Sequence, residues 1–175
     1  MKREVQILDE TVRLCAALSR ENNLSKLIKI LVEQCQDISR SELAGLYLYP
    51  DDGSDPKLAY KRGAYELPQL FERNTSLIDF LEDCGETIVL LKPGKSPFSE
   101  LLLVKTMKSG IILPLNAPRE KLGFLILNSD RENFYSADRF RFLESVSKFA
   151  GGLLHNSVLY DQLKEYLKQI ETMER

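Results

Sequence analysis

Histidine occurs once in this chain, at His155, and cysteine three times, at Cys15, Cys35 and Cys84. A single imidazole excludes a two-histidine metal centre within one chain, and any Ser-His-Asp triad would have to use a histidine on a helical pattern. The cysteines are odd in number, widely spaced and without a CxxC pair. That argues against a disulfide framework and a zinc site, and buried reduced thiols are the expectation. No apolar run approaches the roughly 20 residues that span a bilayer, and MKREVQILDETVRLC lacks the continuous apolar core of a signal peptide. A cytoplasmic protein without membrane insertion is expected. An excess of one charge is also missing: 24 basic against 26 acidic residues give a formal charge of -2, so no global field draws the chain to nucleic acid or an anionic surface. There is no glycine-rich phosphate loop, nucleophile elbow or HExxH pattern, and the carboxylates fall on helix faces and turns. The sequence is therefore read as non-enzymatic.

What is present suits one domain with helical extensions: 175 residues, 43% hydrophobic and 29% charged, bury one substantial core but not two. Between Val5 and Arg20 a stripe of Val5, Leu8, Val12 and Cys15 predicts a packing helix. Asn22 and Asn23 interrupt it, and Asn23 is placed to cap a second helix whose Leu24, Leu27, Ile28, Leu31, Val32, Cys35 and Ile38 recur on one face.

Leu43 to Tyr49 reads as a strand stopped by Pro50-Asp51-Asp52-Gly53, with a hairpin return through Leu58 to Lys61. From Arg62 to Ser109 the pattern is mixed. Short helical signals at Leu77 to Leu81 and Phe98 to Val104 flank a strand at Thr87 to Leu91, with breaks at Gly85, Pro93, Gly94 and Pro97. Gly110 to Leu115 is a strand in which Pro114 belongs at an edge or bulge. Asn116 to Lys121 is a polar turn, and Leu122 to Leu127 is an inner strand covered on both faces.

Ser136 then caps a helix with Asp138 in its first turn, at the positive end of the dipole. Val146, Phe149, Leu153, Tyr160, Leu163, Leu167 and Ile170 follow at alternating steps of three and four, with Asn156 on the same seam. That is a coiled-coil repeat, and a seam asparagine fixes register at some cost in stability. Packing on its own domain accounts for Phe142 to Leu154, whereas Tyr160 to Met173 calls for a second copy. Ala137 to Glu174 would span roughly 55 Å as one helix, long enough to leave the domain and enter an effector beyond this chain.

The LYLYPDDG, GIILPL and KLGFLILN segments, followed by NFYSADRFRFLESVSKFAGGLLHNSVLY, give the chain a resemblance to GAF sensor domains over about Leu24 to Leu159. The resemblance implies an α+β fold, GAF-like and PAS-related. A central antiparallel sheet would carry N- and C-terminal helices on one face, and short helices and loops over a ligand pocket on the other. The implied organisation is a terminal helix over 1–22, the GAF-like domain over 23–159 and a signalling helix over 160–175. Cyclic-nucleotide-binding relatives carry an Asn-Lys, Phe and Asp-Glu signature. Asn128, Phe134 and Asp138 match it, while Ser129 and Arg139 depart from it. No cysteine precedes His155 as in bilin-binding relatives, His155 is the one candidate for a haem axial ligand and reads better as packed, and Cys84 stands alone where methionine sulfoxide reductases have a cysteine cluster. The resemblance thus names no cofactor. It implies a regulatory module that binds a small molecule or a partner and relays the change through a homodimer of terminal helices. The alternative is a ligand-free dimerisation module. The pocket would be walled by the segment between Arg62 and Ser109, with Tyr60, Leu77, Phe80, Phe98, Met107 and Ser109 facing it. Lys105 and Lys108 could meet an anionic ligand, but spaced lysines at a helix end are ordinarily solvated.

Overall fold

The computed structural model describes residues 12–18, 20–21, 23–94 and 98–174. Residues 12–18 are helical (α1), followed by α2 (Leu24–Ser39), β1 (Leu43–Leu48), β2 (Lys57–Arg62), α3 (Ser76–Cys84), β3 (Ile88–Leu90), β4 (Ser109–Ala117), β5 (Glu120–Ser129) and α4 (Ala137–Glu174). The strands form one antiparallel sheet in the order β2-β1-β5-β4-β3. This is the α+β arrangement the sequence implies. Val5, Leu8, Asn22 and Pro97 lie outside the described residues.

Local chemistry sets the boundaries. The Asn23 side chain accepts the Lys26 N–H at 3.1 Å and starts α2, a cap worth about 1 kcal/mol. Arg40 adopts the left-handed conformation (φ 60°) and its N–H closes on the Gln36 carbonyl, which ends the helix. α3 begins on the Thr75 hydroxyl, which accepts the Ile78 N–H, and stops at Gly85 in the same left-handed conformation. β5 is central and its residues 122–129 are buried on both faces, as its apolar run requires. β3 stops pairing at Ile88 opposite Ile112, two residues before Pro114, so the missing N–H of Pro114 falls past the end of its neighbour.

Strand alternation divides the core. On one face Leu46, Ile111, Leu113, Leu115, Leu125 and Leu127 meet Leu27, Leu31 and Val32 of α2 and Leu143, Val146, Ala150 and Leu154 of α4. On the other, Tyr47, Ile112, Phe124 and Ile126 meet Phe71 and the α3 residues Leu77, Ile78 and Leu81. The segment between β2 and β4 forms this second layer, the roof.

Several expectations are corrected. In α1 the buried residues are Leu14 and Leu18, not Val12, which is exposed; Leu14 and Leu18 stand one turn apart and turn toward the helix-face core, rotating the expected stripe outward. The polar turn at 116–121 shrinks to Pro118 and Arg119, because Ala117 and Glu120 still pair. The helical signal at Phe98 to Val104 yields a single 3-10 turn, Ser99–Leu101. Its physical cause is Asn128, whose side chain claims the Leu101 carbonyl (2.9 Å) and the Leu103 N–H (2.8 Å) that a longer helix would need. Of the thiols only Cys35 is buried. Cys15 is half-buried, and Cys84 is exposed in the last turn of α3.

Candidate functional site

The roof face is filled by aromatic rings. Tyr47 and Phe124 stack at 5.4 Å, and Phe71 meets both edge-on at 5.6 and 5.4 Å. Tyr49 adds a further edge contact to Phe124 at 5.8 Å. Each such pair contributes about 0.5–1.5 kcal/mol beyond area burial. The Tyr47 hydroxyl donates to the Pro68 carbonyl at 2.7 Å, so the phenol anchors the loop between β2 and α3 while its ring fills the layer. Burial raises the Tyr47 phenol well above its ordinary range. Tyr49 is pushed up to about 12, by burial first and then by Glu82, against the opposing pull of Arg73. Arg73 lies 5.5 Å over the Tyr49 ring and pairs with Glu82 at 3.0 Å.

The six residues expected to line a pocket are dispersed. Leu77 is wholly buried in this layer, Phe98 packs partly against it, and Phe80 is exposed with its ring edge-to-face on Phe98 at 5.5 Å. These three come together. Met107 belongs to a separate small cluster with Leu43 and Leu67. Ser109 is buried and donates to the Arg131 carbonyl at 2.6 Å. Tyr60 does not join them: it packs toward the helix-face core and donates to Glu33 of α2 at 2.7 Å, because its register opposite Leu46 turns it to that face. Lys105 and Lys108 are both exposed.

Asn128, expected only as part of a half-matched signature, holds the roof down. Its Oδ1 accepts from Leu103 and its Nδ2 donates to Leu101 and Leu127, all from a fully buried position at the end of β5. The signal was an amide closing the apolar run LGFLIL. Beside it Gly110 leaves room for Leu101, which a β-carbon would strike. A second buried polar set ties α2 to the start of α4: the Ser39, Ser41 and Tyr135 hydroxyls are joined in a chain at 2.8 Å per step. Arg139 donates to the Ser39 carbonyl at 3.2 Å and lies 4.1 Å over the Phe134 ring. Burial drives the Tyr135 phenol far up, more than the Ser41 hydrogen bond draws it down.

α4 is one helix from Ala137 to Glu174. Phe142, Leu143, Val146, Ala150 and Leu154 are buried on the sheet, so Val146 belongs to the domain side and not to the exposed seam. Beyond them Leu159, Tyr160, Leu163, Tyr166, Leu167 and Met173 are exposed, Leu163 at 54%. His155 is half-buried, its Nδ1 3.6 Å from the Glu120 carboxylate. Two clefts open among the described residues, the second beside the Tyr49 ring of the aromatic layer. One, of about 370 Å³, lies between Glu86, Asn116 and the Phe140 and Glu144 turn of α4. The other, of about 430 Å³, lies between Tyr49, Arg73 and Lys121. Among the described residues, no cluster of His, Cys, Asp or Glu is arranged to hold a metal, and no helix is long and apolar enough to cross a membrane.

A single antiparallel sheet with terminal helices on one face and a short-helix roof on the other is the GAF fold, and solved structures place the chain there. Free methionine-R-sulfoxide reductase of Neisseria meningitidis, solved with its substrate, superposes with a TM-score of 0.78 at 14% identity, covering 91% of this chain and 94% of that one. The GAF domain of a phosphoenolpyruvate-protein phosphotransferase of Acinetobacter gives 0.72 at 16% identity over 87% and 94%. A bacteriophytochrome of R. palustris gives 0.74 at 10% identity; the match takes in 97% of this chain but 42% of that protein. No family model and no curated protein sequence matches the chain. At these identities the likeness is one of fold, shared by a free methionine-R-sulfoxide reductase, the GAF domain of a phosphotransferase and a bacteriophytochrome.

Proposed function

We propose that this chain is a regulatory module of a signal-transduction protein, organised as a terminal helix over 1–22, a GAF-fold domain over 23–159 and a signalling helix over 160–175, and acting as a homodimer through its terminal helices. The observation that carries this reading is the second half of α4. Its exposed residues continue the three-four repeat of Phe149, Leu153, Asn156, Tyr160, Leu163, Leu167 and Ile170. An identical helix supplies the matching seam, since each residue then meets its own counterpart layer. A stimulus acting on the roof would change the pairing of the two α4 helices, provided it binds one arrangement more tightly than the other. Leu77, Phe80 and Phe98 are the residues proposed to receive it, as a small molecule or a protein partner. The proposed work is relay and not catalysis.

A second reading is favoured by one observation. The Tyr47, Phe71, Phe124 and Tyr49 rings occupy the roof-face layer, so a small molecule entering it would have to displace packed aromatics. A module that only pairs helices needs no such opening. Sedimentation of the full chain against a chain truncated after Tyr160 tests the dimer: a dimer at micromolar concentration that dissociates on truncation is expected, and an unchanged mass would remove α4 from that role. Native mass spectrometry distinguishes the two readings, because a retained small molecule supports the sensor. If such a ligand binds Phe98→Trp as tightly as the parent chain, the proposed roof site is misplaced.

A further inference from the structure

The sheet separates the roof from α4: Leu77, Ile78 and Leu81 of α3 pack on one face, and Leu143, Val146, Ala150 and Leu154 of α4 on the other. The two layers are joined at one end of the sheet by the tip of the β4–β5 hairpin. The pairing shifts there between Leu115 and Asn116, an irregularity that increases local twist and re-aims the side chains beyond it. From the tip, Lys121 Nζ donates to the Leu81 carbonyl at 3.4 Å, supplying a positive charge to the end of a helix whose own last turn has none. Asn116 Nδ2 would lie 3.3 Å from a β-carbon at Gly85, the residue that closes α3. The opposite side of the same tip rests on α4: Gly151 has no side chain, and the Asn116 backbone occupies the space a β-carbon would take. One turn further, Glu120 faces His155 Nδ1 at 3.6 Å.

We infer that the β4–β5 hairpin tip is the mechanical coupling between the roof helix α3 and the exit helix α4, transmitting displacement of one to the other around the end of the sheet. This deepens the proposed regulatory function and takes its biological use from that reading, but the coupling itself is a property of the folded chain. Gly152 makes the point by contrast. It is the next residue in α4, and nothing lies within 4 Å of where its β-carbon would stand. Alanine there adds a side chain to open space, whereas alanine at Gly151 must push the tip away from the helix. Since Lys121 also holds the end of α3 and Asn116 lies beside it, that push reaches the roof.

Hydrogen–deuterium exchange of the full chain tests this. Gly151→Ala is expected to speed exchange in 76–85 by at least about fivefold, the low end of intersite coupling, with 43–48 of β1 unchanged. Gly152→Ala should leave both at the parent rate. Faster exchange confined to α4, or rising equally in every segment, would overturn the inference. Coupling is reciprocal, so Lys121→Met, which removes the ammonium from Leu81 and nothing from α4, should speed exchange in 147–157. That arm decides the matter if Gly151→Ala does not fold, and an unchanged rate there counts against the tip. Sedimentation of the same variants keeps the two readings apart: loss of dimer affects the proposed function, while α3 protection reports the junction alone.

Discussion

The two halves of α4 belong to one continuous helix and both carry apolar residues, yet one half is covered and the other bare. Up to Leu154, apolar positions take up more than one stripe and sink into the sheet; Leu143 and Val146 are fully buried. From Leu159 on, the apolar residues other than half-buried Ile170 face solvent, with Lys164 lying 4.5 Å over the Tyr160 ring as their local cover. Isolated helical segments of this length are marginal in water, so the first half is held by its own domain, and the second is the half proposed to pair with a partner. The same helix therefore has a part packed on its own domain and a bare part proposed to associate, and substitutions in the two should be separable in kind.

The sharpest way to break that division is to truncate side chains on either side of it. Leu143→Ala leaves a cavity in the helix-face core and should cost about 2–5 kcal/mol in chemical denaturation. Leu163→Ala, measured at concentrations too low for association, should stay within about 0.5 kcal/mol of the parent. If both cost the same, the second half is packed on its own domain. Next in size, Leu163→Asp with Leu167→Asp places like charges on the seam and should weaken self-association at least about tenfold by sedimentation, equivalent to about 1.4 kcal/mol. The denaturation midpoint of the dilute chain should be unchanged. Asn156→Leu sharpens the comparison at the boundary itself. Replacing a polar seam residue by an apolar one should tighten association while loosening register, visible as a lower dissociation constant with broadened distances between spin labels near the helix end.

Much of this architecture was legible in the chain. Leu43 to Tyr49, closed by Pro50, Asp51, Asp52 and Gly53, and Leu122 to Leu127 announced strands through their β-formers, and Asn23 announced a helix start because only a short polar side chain can satisfy that N–H. What escaped was long-range. Nothing near Phe98 shows that an amide thirty residues later, Asn128, will take the backbone groups of 101 and 103. Nothing near Tyr60 shows that Glu33 of α2 waits on that face. The candidate site fared similarly. Periodicity identified apolar residues in the roof but could not show that Tyr47, Phe71 and Phe124, drawn from three distant segments, fill the layer beneath it.

The smallest effect expected is also the one that reads both parts of the molecule without altering a residue. Burial raises the Cys35 thiol to about 12 from an ordinary value of 9.0, and Tyr49 reaches about 12 while Tyr47 and Tyr135 are driven higher still. The unfolded chain releases these protons near pH 9 for the thiol and near pH 10 for the phenols. Above those values the folded state binds more protons than the unfolded one, so stability must fall as pH rises, beginning near pH 9 and steepening toward pH 12. Phenolate absorbance from the packed rings should therefore arrive only with unfolding. The tyrosines of the bare helix, Tyr160 and Tyr166, stand in solvent, whereas Tyr47, Tyr49 and Tyr135 should keep their protons until the fold opens cooperatively. Thiol labelling follows the same order, with exposed Cys84 reacting in the native state and Cys35 only on unfolding. Should Tyr47 and Tyr49 ionise near pH 10 while circular dichroism remains native, the aromatic layer is open to water, and a ligand site beneath the roof becomes the stronger reading.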